Sequence, residues 1–230
     1  MADSVTVASR PADWRDDEII ALALVTPELV GAALADAEQN FPELYALILR
    51  AQLGEELSAD DIQQALEARM EAGTANLQGA FEQVVNGSVD LAVWQEVFAT
   101  ELMYAHIQAV LLATGDWTDF NAEVVEEKMI AELGFLNNFA AEIATGLTLA
   151  QIDSRLSQYL EGIWSTFWKG EGFVQALLGS SEEMRVLDAA AEHCDVCPSL
   201  AGHWEPIGSL PAPGEESPCG HRCRCTKEYR

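Results

Sequence analysis

The sequence predicts a mainly α protein, a multi-helix bundle followed by a small irregular Cys-rich C-terminal module. Apolar residues recur every three to four positions through most of the first 190 residues, the period of a helix with one buried face. Helix start and stop residues stand between those runs. All five cysteines, with five of the eight prolines, fall in the last forty residues. The expected domains are an N-terminal arm over 1–15, an acidic helical domain over 16–190 and a Cys-rich module over 191–230.

Residues 1–15 show no strong period, and such an arm is expected to be ordered only where a partner holds it. Helices are predicted near 16–24, 27–52, 59–85, 90–113, 119–145, 149–169 and 181–192. Thr26-Pro27-Glu28 offers a cap, a proline at the first helical position and an acid at the positive dipole end. Ser58-x-x-Asp61, Thr148-x-x-Gln151 and Ser180-x-x-Glu183 have capping-box spacing. Gly115 and Gly146 stand where helix ends need a left-handed residue. Three apolar stripes are predicted: Trp94, Phe98, Leu102, Ala105, Ala109 and Leu112; Ile130, Leu133, Leu136, Ala140 and Ile143; and Leu149, Ile152, Leu156, Tyr159, Ile163 and Phe167. Val93, Val97, Ile107 and Val110 lie off the first stripe, so the helix over 90–113 is apolar nearly all round and is predicted to be central.

Charge narrows the function. The chain has 12 Lys and Arg against 38 Asp and Glu, a net of −26, of which residues 1–190 hold −24. That sign opposes direct nucleic-acid binding, which needs cations to displace counterions, and opposes an anionic membrane surface. The longest unbroken apolar run, Ile19 to Val25, is short for a bilayer. No basic segment followed by an apolar one opens the chain, so no secretory signal is expected.

The tail reads Cys194-x-x-Cys197, then Cys219-x-x-x-Cys223-x-Cys225 beyond a Pro/Gly-rich stretch. A CxxC turn aims two sulfurs at one point, as tetrahedral zinc requires. The five cysteines are therefore the candidate metal ligands, the ion being a structural zinc that staples a segment too small for its own core. Disulfides would do the same in an oxidising compartment, and the third alternative is free thiols with no staple. Cys194 and Cys197 supply one half of the set. Spacing favours Cys219 with Cys223 as the other half and leaves Cys223 with Cys225 open, while His203 and His221 rank behind them. His203-x-Glu205 before Pro218-Cys219 has part of a zinc-deaminase pattern, but Cys219-x-x-x-Cys223 has the wrong spacing and the strands such a site needs are missing. No HExxH, GxSxG, Walker or GxGxxG arrangement occurs, and no enzyme activity is expected.

The tail resembles the C-terminal motif of the tailed-phage head morphogenesis family, the minor head proteins of the Mu F type. The matching residues are Cys194 to Gly202 (CDVCPSLAG), Leu210 to Gly214 (LPAPG), Cys219 to Cys225 (CGHRCRC) and Tyr229. Trp94-Gln95, Gly115-Asp116-Trp117-Thr118, Leu136 to Gly146 (LNNFAAEIATG) and Leu147 to Ile152 (LTLAQI) extend the similarity over about residues 85–230. Members commonly place a His before the CRC, where this chain has Cys219. The resemblance implies a virion head protein made in the host cytoplasm, oligomeric in an assembly, with phage capsid or portal protein as partner. The alternative reading is an acidic helical adaptor outside virions with a structural zinc module.

Trp164, Phe167, Trp168 and Phe173 spread round a helix end, as a contact patch or as packing against the tail, and His106 is expected in the core. With this charge, the chain should show no measurable binding to duplex DNA at physiological salt. Salt-sensitive, tight binding in a fluorescence anisotropy titration would contradict it.

Overall fold

The computed structural model describes residues 5, 7, 9–189, 192, 194–213 and 225–230. Its helices are α1 (Asp16–Ala23), α2 (Pro27–Asn40), α3 (Pro42–Gln52), α4 (Ala59–Val85), α5 (Leu91–Thr114), α6 (Asp119–Gly146) and α7 (Leu149–Leu177). Strand β1 (Glu182–Val186), the short helix α8 (Val196–Leu200), β2 (Trp204–Pro206) and β3 (Thr226–Tyr229) complete it. The protein is mainly α.

The caps act as their spacing predicts in three places. Thr26 Oγ1 accepts from Leu29 N, Ser58 Oγ from Asp61 N, and Thr148 with Gln151 forms a reciprocal capping box. Gly115 ends α5 at φ +75°, and a Cβ there would sit 2.7 Å from the Ala51 carbonyl oxygen, so conformation and close approach both require glycine.

Three predicted helices differ. The span 27–52 is two helices, broken at Phe41, because Pro42 lacks an N–H and disfavours helical geometry in the residue before it. The helix predicted to stop near 169 runs on to Leu177. Gly170 and Gly172 look like stops, yet Gly170 serves contact: a Cβ there would lie 3.0 Å from the Ala113 Cβ and 3.2 Å from Thr114 and Val110 methyls. The helix predicted over 181–192 is replaced by β1 at Glu182–Val186. There Ser180 caps nothing; its N–H closes the end of α7 on the Gln175 carbonyl.

Helices α2, α3, α4, α6 and α7 all pack on α5, and α1 packs on α6. Every residue of α5 from Ala105 to Leu112 is buried, as are Trp94 and Phe98. Val93 and Val97 are exposed, because α2 and α3 cover only the later part of α5, where Gln108 meets Ala33 and Gly115 meets Ala51. Ile130 also lies outside its predicted stripe, and Met129 is buried instead. By length and composition α5 could cross a membrane, but 67% of its most apolar window is buried inside the bundle.

A helix buried this fully must satisfy its polar side chains from its neighbours. Gln95 exchanges bonds with the Ala12 backbone, so the arm is held by the bundle, and Asn137 of α6 does the same for Trp14. His106 lies in the core, Nδ1 2.7 Å from Thr166 Oγ1 of α7 and Nε2 2.9 Å from Glu132 Oε2 of α6. Gln108 accepts from Arg69 Nε of α4 at 2.6 Å and donates to the Ala33 carbonyl and to Asp36 of α2 at 2.8 and 2.9 Å. The buried Arg69 guanidinium also pairs with Glu101 at 2.5 Å and lies 4.3 Å from the centre of the Phe41 ring.

Phe98 sits between Trp94 and Tyr159, with ring centroids at 5.2 and 4.9 Å. Phe98→Ala should therefore cost about 3–5 kcal/mol in urea unfolding. A loss below about 1 kcal/mol would show that this centre is not the stabilising core.

Candidate metal centre and the module that carries it

The module is built on a sheet of order β2-β1-β3, antiparallel throughout, with Glu183 opposite Glu205 on one side and Tyr229 on the other. Alternation along β1 turns Glu183 and Arg185 inward and leaves Glu182, Met184 and Val186 half-buried. The central strand thus buries charges, which is why no apolar period announces it.

Those charges clamp the Pro-rich segment to the sheet. Glu183 accepts from Leu210 N at 2.9 Å and from Lys227 Nζ of β3 at 2.8 Å, and Lys227 also donates to the Leu210 carbonyl at 3.0 Å. Arg185 Nη2 donates to the Pro211 carbonyl. A buried ion pair with all its hydrogen bonds made is costly to break, since removing one partner strands the other.

Cys194, Cys197 and Cys225 gather beyond the end of β1 and just ahead of β3. Cys197 and Cys225 are buried against each other's cluster, with Cys194 and Leu187 packed on it. Cys194 and Cys197 hold their Sγ atoms 3.4 Å apart across the turn into α8. Two thiolates on one tetrahedral zinc lie about 3.8 Å apart, whereas a disulfide needs about 2.05 Å, so this pair fits half of a zinc site. Cys225, left out of the favoured pairing, is the one of the last three cysteines that the described structure places in the cluster. Cys219, Cys223 and His221 lie outside the described residues. Among the described residues no group of three or more His, Cys, Asp or Glu side chains forms a metal site. His203 and Glu205 are exposed at the edge strand β2, away from any buried centre.

The module rests on the last turns of α7. A Cβ at Gly172 would lie 3.4 Å from Ile207 and 3.9 Å from the Tyr229 hydroxyl. The aromatic residues near this end are largely absorbed in packing: Trp164 and Phe167 are buried, Trp168 packs edge-on to Phe167, and Phe173 stacks on Phe120 at 3.9 Å. Two cavities flank this seam, one of about 730 Å³ toward α6 and one of about 700 Å³ toward the α3–α4 loop. Burial raises the Glu171 carboxyl above its ordinary range, opposed by the Gln175 amide at 2.9 Å. Burial, with the carboxylates of Glu171 and Glu183 adding to it, raises the Tyr229 phenol too. Among the described residues, the buried side-chain polar atoms without a hydrogen-bond partner are Trp164 Nε1, Ser165 Oγ, Trp168 Nε1, Arg185 Nε and the Tyr229 hydroxyl, all on α7 or the sheet.

Glu183, Arg185 and Lys227 are the residues that spacing alone does not reveal, because charged side chains read as solvated. The only trace is the period-two alternation of Glu183 with Met184, Arg185 and Val186. No protein-family model, curated protein or solved structure matches the chain.

A zinc held by these thiolates predicts a selective loss. Cys197→Ser, or a zinc chelator, should abolish the near-UV circular dichroism of Trp204 while leaving most far-UV helical signal, since the bundle has its own core. An unchanged near-UV spectrum after chelation, or a change produced by reductant instead, would reject zinc.

Proposed function

We propose that the chain is a structural component of a tailed-phage head, a minor head protein that binds capsid or portal subunits during assembly. The observation that carries this reading is the meeting of Cys194, Cys197 and Cys225, which belong to opposite ends of the resembled motif. In the intervening segment Leu210 and Pro211 are pinned by buried charges. A motif whose distant parts close into one module is a unit of structure. A structural zinc, with Cys219 and Cys223 completing the set, suits a segment of this size.

The charge supports the same placement. A body of net −24 is repelled by packaged DNA and drawn to basic protein surfaces, which favours a shell or portal position. The same charge favours the second reading, an adaptor outside virions that grips a basic partner through its helices. Neither reading assigns the chain a reaction.

Quantitative mass spectrometry of purified procapsids and virions separates the two. The head reading expects the chain in one or both, at a constant ratio to the portal protein. Its absence from both, with the chain present in the host lysate, leaves the adaptor.

A further inference from the structure

The cavity of about 700 Å³ between the α3–α4 loop, the end of α7 and β3 is bordered by Leu112 and Phe167 of the bundle core and by Cys225 of the cysteine cluster. Its size suits a ligand group and it is mostly apolar with a few polar residues. Leu57, Ile62, Leu112 and Phe167 supply apolar wall, and Glu55, Glu56 and Glu171 supply carboxylates. Glu55 is partnered by Arg50 at 2.9 Å, in an exposed pair that is worth little. Lys227, the cation in the lining, is committed to Glu183 at 2.8 Å.

Glu171 is the anomaly. It is half-buried, its hydrogen-bond partner is the neutral amide of Gln175, and among the described residues no ion pair joins it to a cation. A carboxyl withdrawn from water without a counter-charge is destabilising. Beside it Trp164, 8% exposed, and Trp168 each hold an indole N–H with no acceptor among the described residues. The wall therefore lacks two things at once, a cation and carbonyl-type acceptors. Both come together in a polypeptide segment that carries arginine or lysine, its side chain reaching the carboxyl and its backbone carbonyls meeting the indoles once it opens the wall. An aromatic face adds attraction for the same cation.

We propose that this groove is the docking site for a basic, apolar segment of a partner protein, an arginine or lysine side chain entering to pair with Glu171 beside Trp168. The assignment goes beyond the particle reading and holds or fails on the isolated chain. A second copy of this chain is a poor occupant, because two bodies of net −26 repel.

The test uses the full chain and a fluorescent peptide alternating arginine and leucine, with an alternating glutamate and leucine peptide as control. Anisotropy should show binding of the first and none of the second, with tryptophan emission shifting on binding. Glu171→Gln, which keeps shape and removes a desolvated charge, should fold and weaken binding about tenfold or more. Glu38→Gln, exposed on α2 and equal in charge change, should weaken it less than about twofold. If E171Q does not fold, the double variant E55Q/E56Q on the rim takes its place, with a loss exceeding that of two remote Glu→Gln changes expected. Equal losses for groove and remote variants, no binding of the arginine peptide, or a dimer of the chain by sedimentation would each overturn the assignment.

Discussion

Helix α5 buries most of its length, and its buried polar side chains must all be satisfied by other parts of the chain. Gln95, His106 and Gln108 divide that demand among the arm, α2, α4, α6 and α7. An apolar helix in an apolar sheath could rotate or slide with small loss, since dispersion is not directional. Hydrogen bonds at 2.6 to 2.9 Å permit one register. Space for them is carved locally: a Cβ on Gly162 of α7 would overlap Glu132 and drive it off His106. The buried polar groups thus set the arrangement that hydrophobic burial stabilises.

The seam between α7 and the module is built on the opposite principle. Within the bundle, Arg69, Gln95, His106, Gln108 and Asn121 are all hydrogen-bonded. On α7's later half and the sheet, five buried polar atoms are not, and two cavities lie alongside. Each unmet group costs on the order of 1–3 kcal/mol. The module has its own clamp, Glu183 with Lys227 and Leu210, and approaches the helices closely where Gly172 faces Ile207 and Tyr229.

Most of the helical body is legible in the sequence because helix signals are local. Thr26, Ser58 and Thr148 cap where their spacing says, and Trp94 and Phe98 are buried where their stripe says. What escapes depends on distant residues. Gly170 reads as a stop until Ala113 and Val110 are known to press against it. Ser180 reads as a cap until β3 and β2 claim Glu182–Val186 for a sheet whose inward face is charged. The arm carries no period, since it is secured at scattered points, by the side chains of Gln95 and Asn137, by Ser9 accepting from Leu91 N and by Val5 buried in the core. In the cysteine module, the knuckle Cys194-x-x-Cys197 is readable from spacing, whereas the nearness of Cys225 comes from its position just ahead of β3.

The sheet's connectivity also sets an order of events in folding. Strand β1 is central, yet its neighbours arrive late: β2 begins at Trp204 and β3 at Thr226. Closing the loop of about forty residues between β1 and β3 costs about 3 kcal/mol in chain entropy before any sheet bond repays it. The turns of α7 form from contacts three and four residues apart, on submicrosecond times, whereas pairings of long separation are slow. The helical face is therefore in place before the sheet exists, and the module condenses on a finished template. Until then Glu183, Arg185 and Lys227 remain hydrated, so β1 and β3 present charge, which disfavours edge-to-edge association.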